Sequence, residues 1–153
     1  MKKVLVALFG LVAFYHAHVA ADDFDYDAFV KAYYQAQVAT QQPDATKEDL
    51  EHYLSFLTED VGNQHFPNAP DDSREPDGKA LMRKGMTHYL GGHTEYKAEL
   101  MSYEVGYNAV VIKHKFSASG KRADGSEFSY AKTALDVLEL EAGKVSVIRR
   151  YSK

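Results

Sequence analysis

Residues 108–119, with the sequence NAVVIKHKFSAS, decide the fold class of this chain. Apolar side chains and one histidine alternate with lysine and serine along this stretch. Such alternation predicts a β-strand with one buried and one solvated face, as in an antiparallel sheet. The buried face would carry Val110, Ile112, His114, Phe116 and Ala118, and the solvated face would carry Lys113, Lys115 and Ser117.

Neighbouring segments continue this pattern on both sides. Short stretches of turn-forming residues separate them, at GYN, ADGS and EAGK, and such connections predict hairpins. The carboxy-terminal part of the chain is therefore predicted to be a meander of antiparallel strands. The additional strands would be residues 95–103 (EYKAELMSY), 127–141 (EFSYAKTALDVLELE) and 144–152 (KVSVIRRYS).

The segment before these strands is predicted to form three helices. The first is capped by Asp25 or Asp27 and ends before the QQPDAT stretch. The second begins at Thr46, which is spaced from Asp49 as in a capping box, and the third covers residues 77–90. Helices followed by a meander predict a single α+β domain.

A long polar segment separates the second and third helices. Residues 57–78 (LTEDVGNQHFPNAPDDSREPDG) contain three of the four prolines of the chain. Connections of this length in a compact domain are usually functional or disordered. Within it, VGNQHF at residues 61–66 predicts a short strand, and residues 67–77 predict a surface loop.

The amino terminus has the three parts of an export signal. Lys2 and Lys3 precede an apolar run over residues 4–14, and small residues lead to a predicted cleavage site after Ala21. A membrane anchor is the alternative, but the run is shorter than the ~20 residues that span a bilayer. We therefore expect a signal peptide over residues 1–21, a mature domain over residues 22–153, a periplasmic or secreted location and no stable membrane association.

Charge and cysteine content exclude several functions. Removal of the signal peptide takes away two lysines, so the formal net charge falls from −4 to −6. An acidic domain is a poor candidate for binding nucleic acid or anionic membranes. The chain has no cysteine, which excludes disulfides, thiol catalysis and thiolate metal sites.

Four segments together resemble the NTF2-like superfamily, which includes SnoaL-like and ketosteroid isomerase-like proteins. They are FVKAYYQAQ, LSFLTEDV, GKALMRKGMTHYL and TALDVLELEAGKVSVIRRY, and their order covers essentially the whole mature chain. The resemblance implies a cone, in which three N-terminal helices pack on a curved antiparallel sheet and enclose a pocket. It also implies a homodimer formed through the outer face of the sheet. The superfamily includes isomerases, cyclases, dehydratases, epoxide hydrolases and non-catalytic binding domains, so the resemblance does not select one activity.

Strand parity places an ion pair on the inner wall of such a cone. If Leu138 and Leu140 face inward and the turn at EAGK has four residues, Asp136 lies opposite Arg149. Ketosteroid isomerase-like proteins, which this chain resembles here, carry a protonated aspartic acid near this position, but an adjacent arginine would keep Asp136 ionised. A carboxylate beside an arginine is closer to the epoxide-hydrolase branch. A purely structural ion pair is the equal alternative.

Two histidines are candidates for a general base. His65 lies near the position where isomerase-like members carry a catalytic acid, and His114 lies on the predicted inner face. Imidazole can accept or donate a proton near neutral pH, so either residue suits the role. The alternatives are a loop histidine at position 65 and a hydrogen-bonded core histidine at position 114.

The predicted cavity is rich in tyrosine, which suits a small cyclic ligand with a few hydrogen-bonding groups. His88 and His93 are five residues apart across a helix end, which is not the spacing of a helical metal pair, and we expect neither a metal nor a cofactor. The predicted ligand-binding residues are Tyr33, Tyr53, Tyr89, Phe116, Tyr130, Lys132 and Tyr151, although Tyr53 also fits a core position.

Together these features predict an exported SnoaL-like domain that binds a small hydrophobic or cyclic metabolite. An isomerase, lyase or hydrolase step there would use His65 or His114 as base, with Asp136 and Arg149 orienting or polarising the ligand. The alternative is a non-catalytic, dimeric ligand-binding or scaffold module in which these polar residues are structural.

Overall fold

The computed structural model describes residues 24–122 and 124–153, so the predicted signal peptide lies outside the described residues. These residues form an α+β domain, as predicted. In the two described ranges, no helix is long and apolar enough to cross a membrane. The elements in chain order are α1 (Tyr26–Ala39), α2 (Lys47–Ser55), β1 (Leu57–Phe66), α3 (Gly78–Thr87), β2 (His93–Gly106), β3 (Ala109–Lys121), β4 (Glu127–Glu141) and β5 (Lys144–Ser152).

The five strands form one sheet in the order β1-β5-β4-β3-β2. The β2–β5 meander is antiparallel, as predicted, but β1 pairs in parallel with β5 at the edge of the sheet. The antiparallel prediction is confirmed for the meander, and the parallel pairing of β1 adds an edge that the sequence did not predict. The sequence identifies the strand around VGNQHF but not its partner, because no hairpin turn connects β1 to the strand that it pairs with.

Local sequence explains where the first two helices begin. The Asp25 side chain accepts a hydrogen bond of 2.9 Å from the Ala28 amide at the start of α1. At the start of α2, the Asp49 amide donates to Thr46 Oγ1 at 3.2 Å, and the Thr46 amide donates to the Asp49 carboxylate at 2.8 Å. The predicted capping box is confirmed.

The core lies between α1, α2 and one face of the sheet. Helix α1 buries a face of apolar and aromatic side chains, as its helical spacing predicts. It packs with α2 against the inward positions of β3, β4 and β5. The buried members include Phe29, Val30, Tyr33, Tyr34, Leu50, Tyr53, Leu54, Val110, Ile112, Leu138, Val145 and Ile148.

A β-bulge in β5 sets which of its side chains face inward. Leu140 pairs with Val145, as the four-residue turn predicts, but Glu139 pairs with Val147, which leaves Ser146 as the extra residue. The Ser146 hydroxyl donates to the Glu139 carbonyl at 3.2 Å. After the bulge the parity of β5 is reversed, so even-numbered residues of β5 face the helices.

Residues 67–77 form a loop that is fixed against β1. Arg74 bridges Asp60, at 2.8 Å, and Glu141, at 2.7 Å, and so connects the loop to β1 and to the end of β4. The loop backbone runs directly over Gly62, where an added Cβ would lie 2.1 Å from the Asp72 carbonyl oxygen. The loop is therefore a fixed part of the structure near the end of the sheet.

We expect Gly62→Ala to destabilise the domain, because the new methyl group would meet loop backbone that cannot rotate away. The expected loss is about 1–3 kcal/mol of unfolding free energy, the range for overpacking. Gly85→Ala in α3 is the matched control, since an added Cβ at Gly85 meets no atom within 4 Å. That change should be neutral or stabilising by up to about 1 kcal/mol. Urea denaturation of both variants checks the difference, and equal effects would contradict the close approach at Gly62.

Candidate functional site

A cavity of about 550 Å³ lies between the end of α1, helix α3 and strands β1 and β5. One wall is apolar and comes largely from α3, with Leu81, Met82 and Met86. Polar groups line the opposite wall and the mouth. These are Gln37, Thr40 and Gln41 from α1 and its end, Asn63 and His65 from β1, Asp71, Ser73 and Glu75 from the loop, and Arg150 from β5.

His65 and Arg150 lie side by side in the wall of this cavity. Their Cα atoms are partners in the parallel β1–β5 ladder, and both residues line the cavity. Desolvation, and then the positive charge of Arg150, lower the pKa of His65 below its usual range, and the negative charge of Asp136 opposes them. His65 is therefore a neutral imidazole at pH 7 and can accept a proton.

Asp136 lies behind Arg150 and does not reach the cavity. It is 0% exposed, and it accepts hydrogen bonds from Arg150 Nε at 2.7 Å and from Nη2 at 2.5 Å. Burial by itself raises the pKa of Asp136, but the charge and hydrogen bonds of Arg150 outweigh burial and hold that pKa well below its usual range. Asp136 is therefore ionised and acts on the cavity through Arg150, whose side chain is 20% exposed.

The predicted pairing of Asp136 with Arg149 is wrong. The bulge at Ser146 brings Arg150 opposite Asp136 and turns Arg149 to the other face of the sheet. There Arg149 pairs with Asp72 at 2.5 Å and with Glu139 at 2.6 Å. Arg149 is thus a tether for the loop rather than a member of the cavity wall.

His114 is buried in the core and does not line the cavity. Its Nε2 lies 3.3 Å from Asp136 Oδ2, but the geometry is not that of a hydrogen bond, and neither ring nitrogen has a hydrogen-bond partner among the described residues. The ring contacts Tyr34 edge to face, with 5.5 Å between centroids. Of the two predicted bases, only His65 is placed where it can meet a ligand.

Six of the seven predicted ligand-binding residues fall into three groups. Tyr53 and Tyr89 line the cavity, Tyr53 at its base and Tyr89 at its mouth. Tyr33 is buried behind Tyr53, with the two hydroxyl oxygens 3.2 Å apart, and is a core residue. Phe116, Tyr130 and Lys132 share the inner-face parity of β3 and β4 but do not line this cavity.

Tyr151 does not face the cavity as predicted, for the same reason as Arg149. The reversed parity after Ser146 puts it on the outer face of the sheet, where it pairs in register with Leu135. Its ring stacks on Phe66, with 5.2 Å between centroids.

Sequence reasoning missed Arg150, Asn63 and the acidic residues at the mouth. The pair Arg149-Arg150 contained the signal, because two successive arginines in a strand guarantee one on each face. The sequence also contained a signal for Gln37, because it is a polar residue on the apolar face of the first helix. The loop residues Asp71 and Glu75 had no periodic pattern that would have assigned them to the cavity.

The histidines near the end of α3 are not arranged as metal ligands. His93 Nδ1 donates to the Gln41 carbonyl at 2.9 Å. Within residues 24–122 and 124–153, no group of three or more His, Asp or Glu side chains is close enough to hold an ion.

Solved structures place this chain in a known fold. A candidate SnoaL-like polyketide cyclase from Shewanella putrefaciens CN-32 superposes with a TM-score of 0.62 at 12% identity, over 98% of this chain and 92% of that protein. An LEH-like epoxide hydrolase from M. tuberculosis superposes with a TM-score of 0.59 at 13% identity, over 82% of this chain and 84% of that protein. An NTF2-like protein of unknown function from Exiguobacterium sp. 255-15 superposes with a TM-score of 0.56 at 15% identity, over 82% of this chain and 98% of that protein. No protein-family model matches the sequence, and no curated protein matches it. At these identities the likeness shows the NTF2-like fold alone.

We expect Asp136→Asn to destabilise the domain by about 3–5 kcal/mol, because it leaves the charge of Arg150 without its partner. Glu139→Gln on the same strand is the matched control. It removes an exposed partner of Arg149 and should cost less than about 1 kcal/mol. Chemical denaturation at pH 7 measures both losses.

The loss of stability caused by Asp136→Asn should also depend on pH. Because folding lowers the pKa of Asp136, its ionised form contributes stability above the unfolded pKa, near ~4, and this contribution is lost as pH falls toward the folded pKa. The stability gap between the wild type and Asp136→Asn should therefore narrow below about pH 4. A gap that stays constant with pH would contradict an ionised Asp136.

Proposed function

We propose that this NTF2-like domain binds a small hydrophobic or cyclic metabolite in the cavity between α3 and β5, and transfers a proton there with His65. The observation that carries the proposal is the position of His65 beside Arg150 in the cavity wall. The export and dimerisation expected from the sequence are further proposals.

The cavity has the size and lining of a small-molecule site. Its volume of about 550 Å³ is within the range of ligand pockets, and one apolar wall faces a few convergent polar groups. The methionines of α3 give this wall an adaptable surface, since Met side chains fill irregular spaces. This arrangement suits a ligand with an apolar ring and one polar end.

The polar pair suits removal of a proton next to a carbonyl group. His65 would take the proton on a ring nitrogen, and the electron pair of the broken C–H bond would move to the carbonyl oxygen. Arg150 would donate hydrogen bonds to that oxygen as its negative charge develops. Return of the proton to another carbon would complete an isomerisation, and departure of a leaving group would complete a lyase step.

Asp136 has a supporting role in this chemistry. An ionised carboxylate cannot donate to an oxyanion, so Asp136 does not act as the protonated acid of ketosteroid isomerase-like proteins. It holds the guanidinium of Arg150 in place instead. The polyketide cyclase and epoxide hydrolase noted above support the proposal only by showing that this fold is associated with small-molecule chemistry.

Thermal-shift screening of residues 22–153 against cyclic ketones and aromatic metabolites tests the binding. A ligand at ~100 times its dissociation constant adds about 2.7 kcal/mol of stability, which shifts the melting temperature measurably. The shift should disappear in His65→Ala and persist in His52→Ala, a control on the exposed face of α2. A ligand whose effect survives His65→Ala would place binding elsewhere.

If a ligand found in this way is turned over, the rate of turnover should fall at acidic pH. Because His65 must be neutral to accept a proton and its pKa is lowered, activity should be complete above about pH 6.5 and should decline as pH falls through the pKa of His65. A rate that rises with acidity would exclude His65 as the base.

We also propose that the protein forms a homodimer through the outer face of the sheet. The alternative function, a non-catalytic dimeric module, requires such a dimer. Phe66, Leu135 and Tyr151 form an apolar patch there, and Leu135 is 42% exposed. Light scattering should report a dimer that Leu135→Asp converts to a monomer. Met101→Asp, an exposed apolar site on β2, is the control and should stay dimeric. A wild-type monomer would rule the dimer out.

Export is proposed from the sequence of residues 1–21 alone. Expression of the full chain followed by mass spectrometry of the exported fraction should give a protein that begins at Asp22. A chain that retains Met1–Lys3 in the cell would contradict the signal peptide.

A further inference from the structure

One carboxylate oxygen organises the inner end of the cavity. Asp136 Oδ2 accepts from Arg150 Nη2 at 2.5 Å and from Gln37 Nε2 at 3.5 Å. Arg150 and Gln37 therefore lie next to each other at the base of the cavity that both line. One of them comes from β5 and the other from α1.

The bond to Asp136 fixes which way the Gln37 amide points. An ionised carboxylate only accepts hydrogen bonds, so the NH₂ group of Gln37 must face it and Oε1 must face away. Gln37 is 9% exposed, and its Oε1 is shielded from solvent without a hydrogen-bond donor among the described residues. A buried acceptor without a partner costs free energy, which a ligand donor placed against Gln37 would recover.

Arg150 supplies the complementary group. Its Nε and Nη2 bind Asp136, and in the described part of the chain no hydrogen bond involves Nη1. A guanidinium has five N–H donors, so Arg150 can bind an acceptor from the ligand while it remains paired with Asp136. Among the described residues, the inner end of the cavity thus has an N–H donor on Arg150 and a buried acceptor on Gln37 that are both without a partner.

We propose that the cavity selects an uncharged ligand whose inner end carries an acceptor for Arg150 and a donor for Gln37 on neighbouring atoms, as in a carboxamide. This inference rests on the proposed function and names the class of ligand for the same site.

The charges around the cavity also favour an uncharged ligand. Arg150 is neutralised by Asp136, and His65 is neutral, so the base of the cavity has no excess positive charge for an anion. At the mouth, Asp71 and Glu75 add negative charge. A carboxylate ligand would meet repulsion at the mouth and would have no donor for Gln37 Oε1.

Three naphthalene probes separate these requirements. 2-Naphthamide offers an acceptor and a donor, 2-acetylnaphthalene offers an acceptor alone, and 2-naphthoate offers acceptors with a negative charge. Calorimetric or NMR titration of the wild-type domain should show the amide binding about tenfold more tightly than the ketone and still more tightly than the carboxylate.

Two variants assign the preference to particular side chains. Gln37→Met keeps the volume but removes the acceptor, so amide affinity should fall to that of the ketone while ketone affinity stays within about twofold. The double variant Asp71→Asn, Glu75→Gln should improve carboxylate binding and leave the amide-to-ketone ratio unchanged. Thermal melts establish whether each variant is folded. If a variant does not fold, the order of the three probe affinities in the wild-type domain still tests the proposal.

Several results would overturn the inference. These are carboxylate affinity equal to or above that of the amide, an amide affinity no greater than that of the ketone, and an amide preference that survives Gln37→Met in a folded protein. Failure of all three probes to bind, together with a His65-dependent hit in the thermal-shift screen, would reject this ligand class and leave the proposed function standing. A blank result in both experiments would reject both.

Discussion

The buried pair of Asp136 and Arg150 is the interaction on which the inner end of the cavity depends. Removing a carboxylate from water costs several kcal/mol, and only a well-placed partner with further hydrogen bonds compensates for it. Here the compensation comes from Arg150, with Gln37 and His114 also near the carboxylate. Because these residues belong to β5, α1 and β3, the cost of leaving Asp136 unpaired holds three elements against β4.

The same pair explains how an arginine side chain can be held in the polar wall of the cavity, opposite the apolar wall from α3. Arg150 is anchored on its inner side by Asp136 and reaches the cavity with the rest of its guanidinium. Its positive charge then acts on His65, the partner of Arg150 on the neighbouring strand. Desolvation and the charge of Arg150 together keep the His65 imidazole neutral against the opposing charge of Asp136, and neutral is the state that a general base needs.

A single extra residue in β5 decides which arginine has this role. Without the bulge at Ser146, regular alternation would turn Arg149 inward and Arg150 outward. With the bulge, Arg150 meets Asp136, and Arg149 becomes free to bind Asp72 and fix the loop at the cavity mouth. Bulges are common beside functional sites because they redirect side chains in this way.

The sequence by itself determined the helices, the meander and most of the inward faces, because caps, turns and alternation are local properties of the chain. It also identified His65 and Asp136 as residues of interest. Tertiary structure alone decided that Arg150 replaces Arg149 and that His65 lies beside it. Both depend on pairing across the sheet: the bulge shifts the β4–β5 register by one residue, and β1 joins β5 from a distant part of the chain. A register shift reverses the face of every later side chain, and nothing local in KVSVIRRYS marks where it occurs.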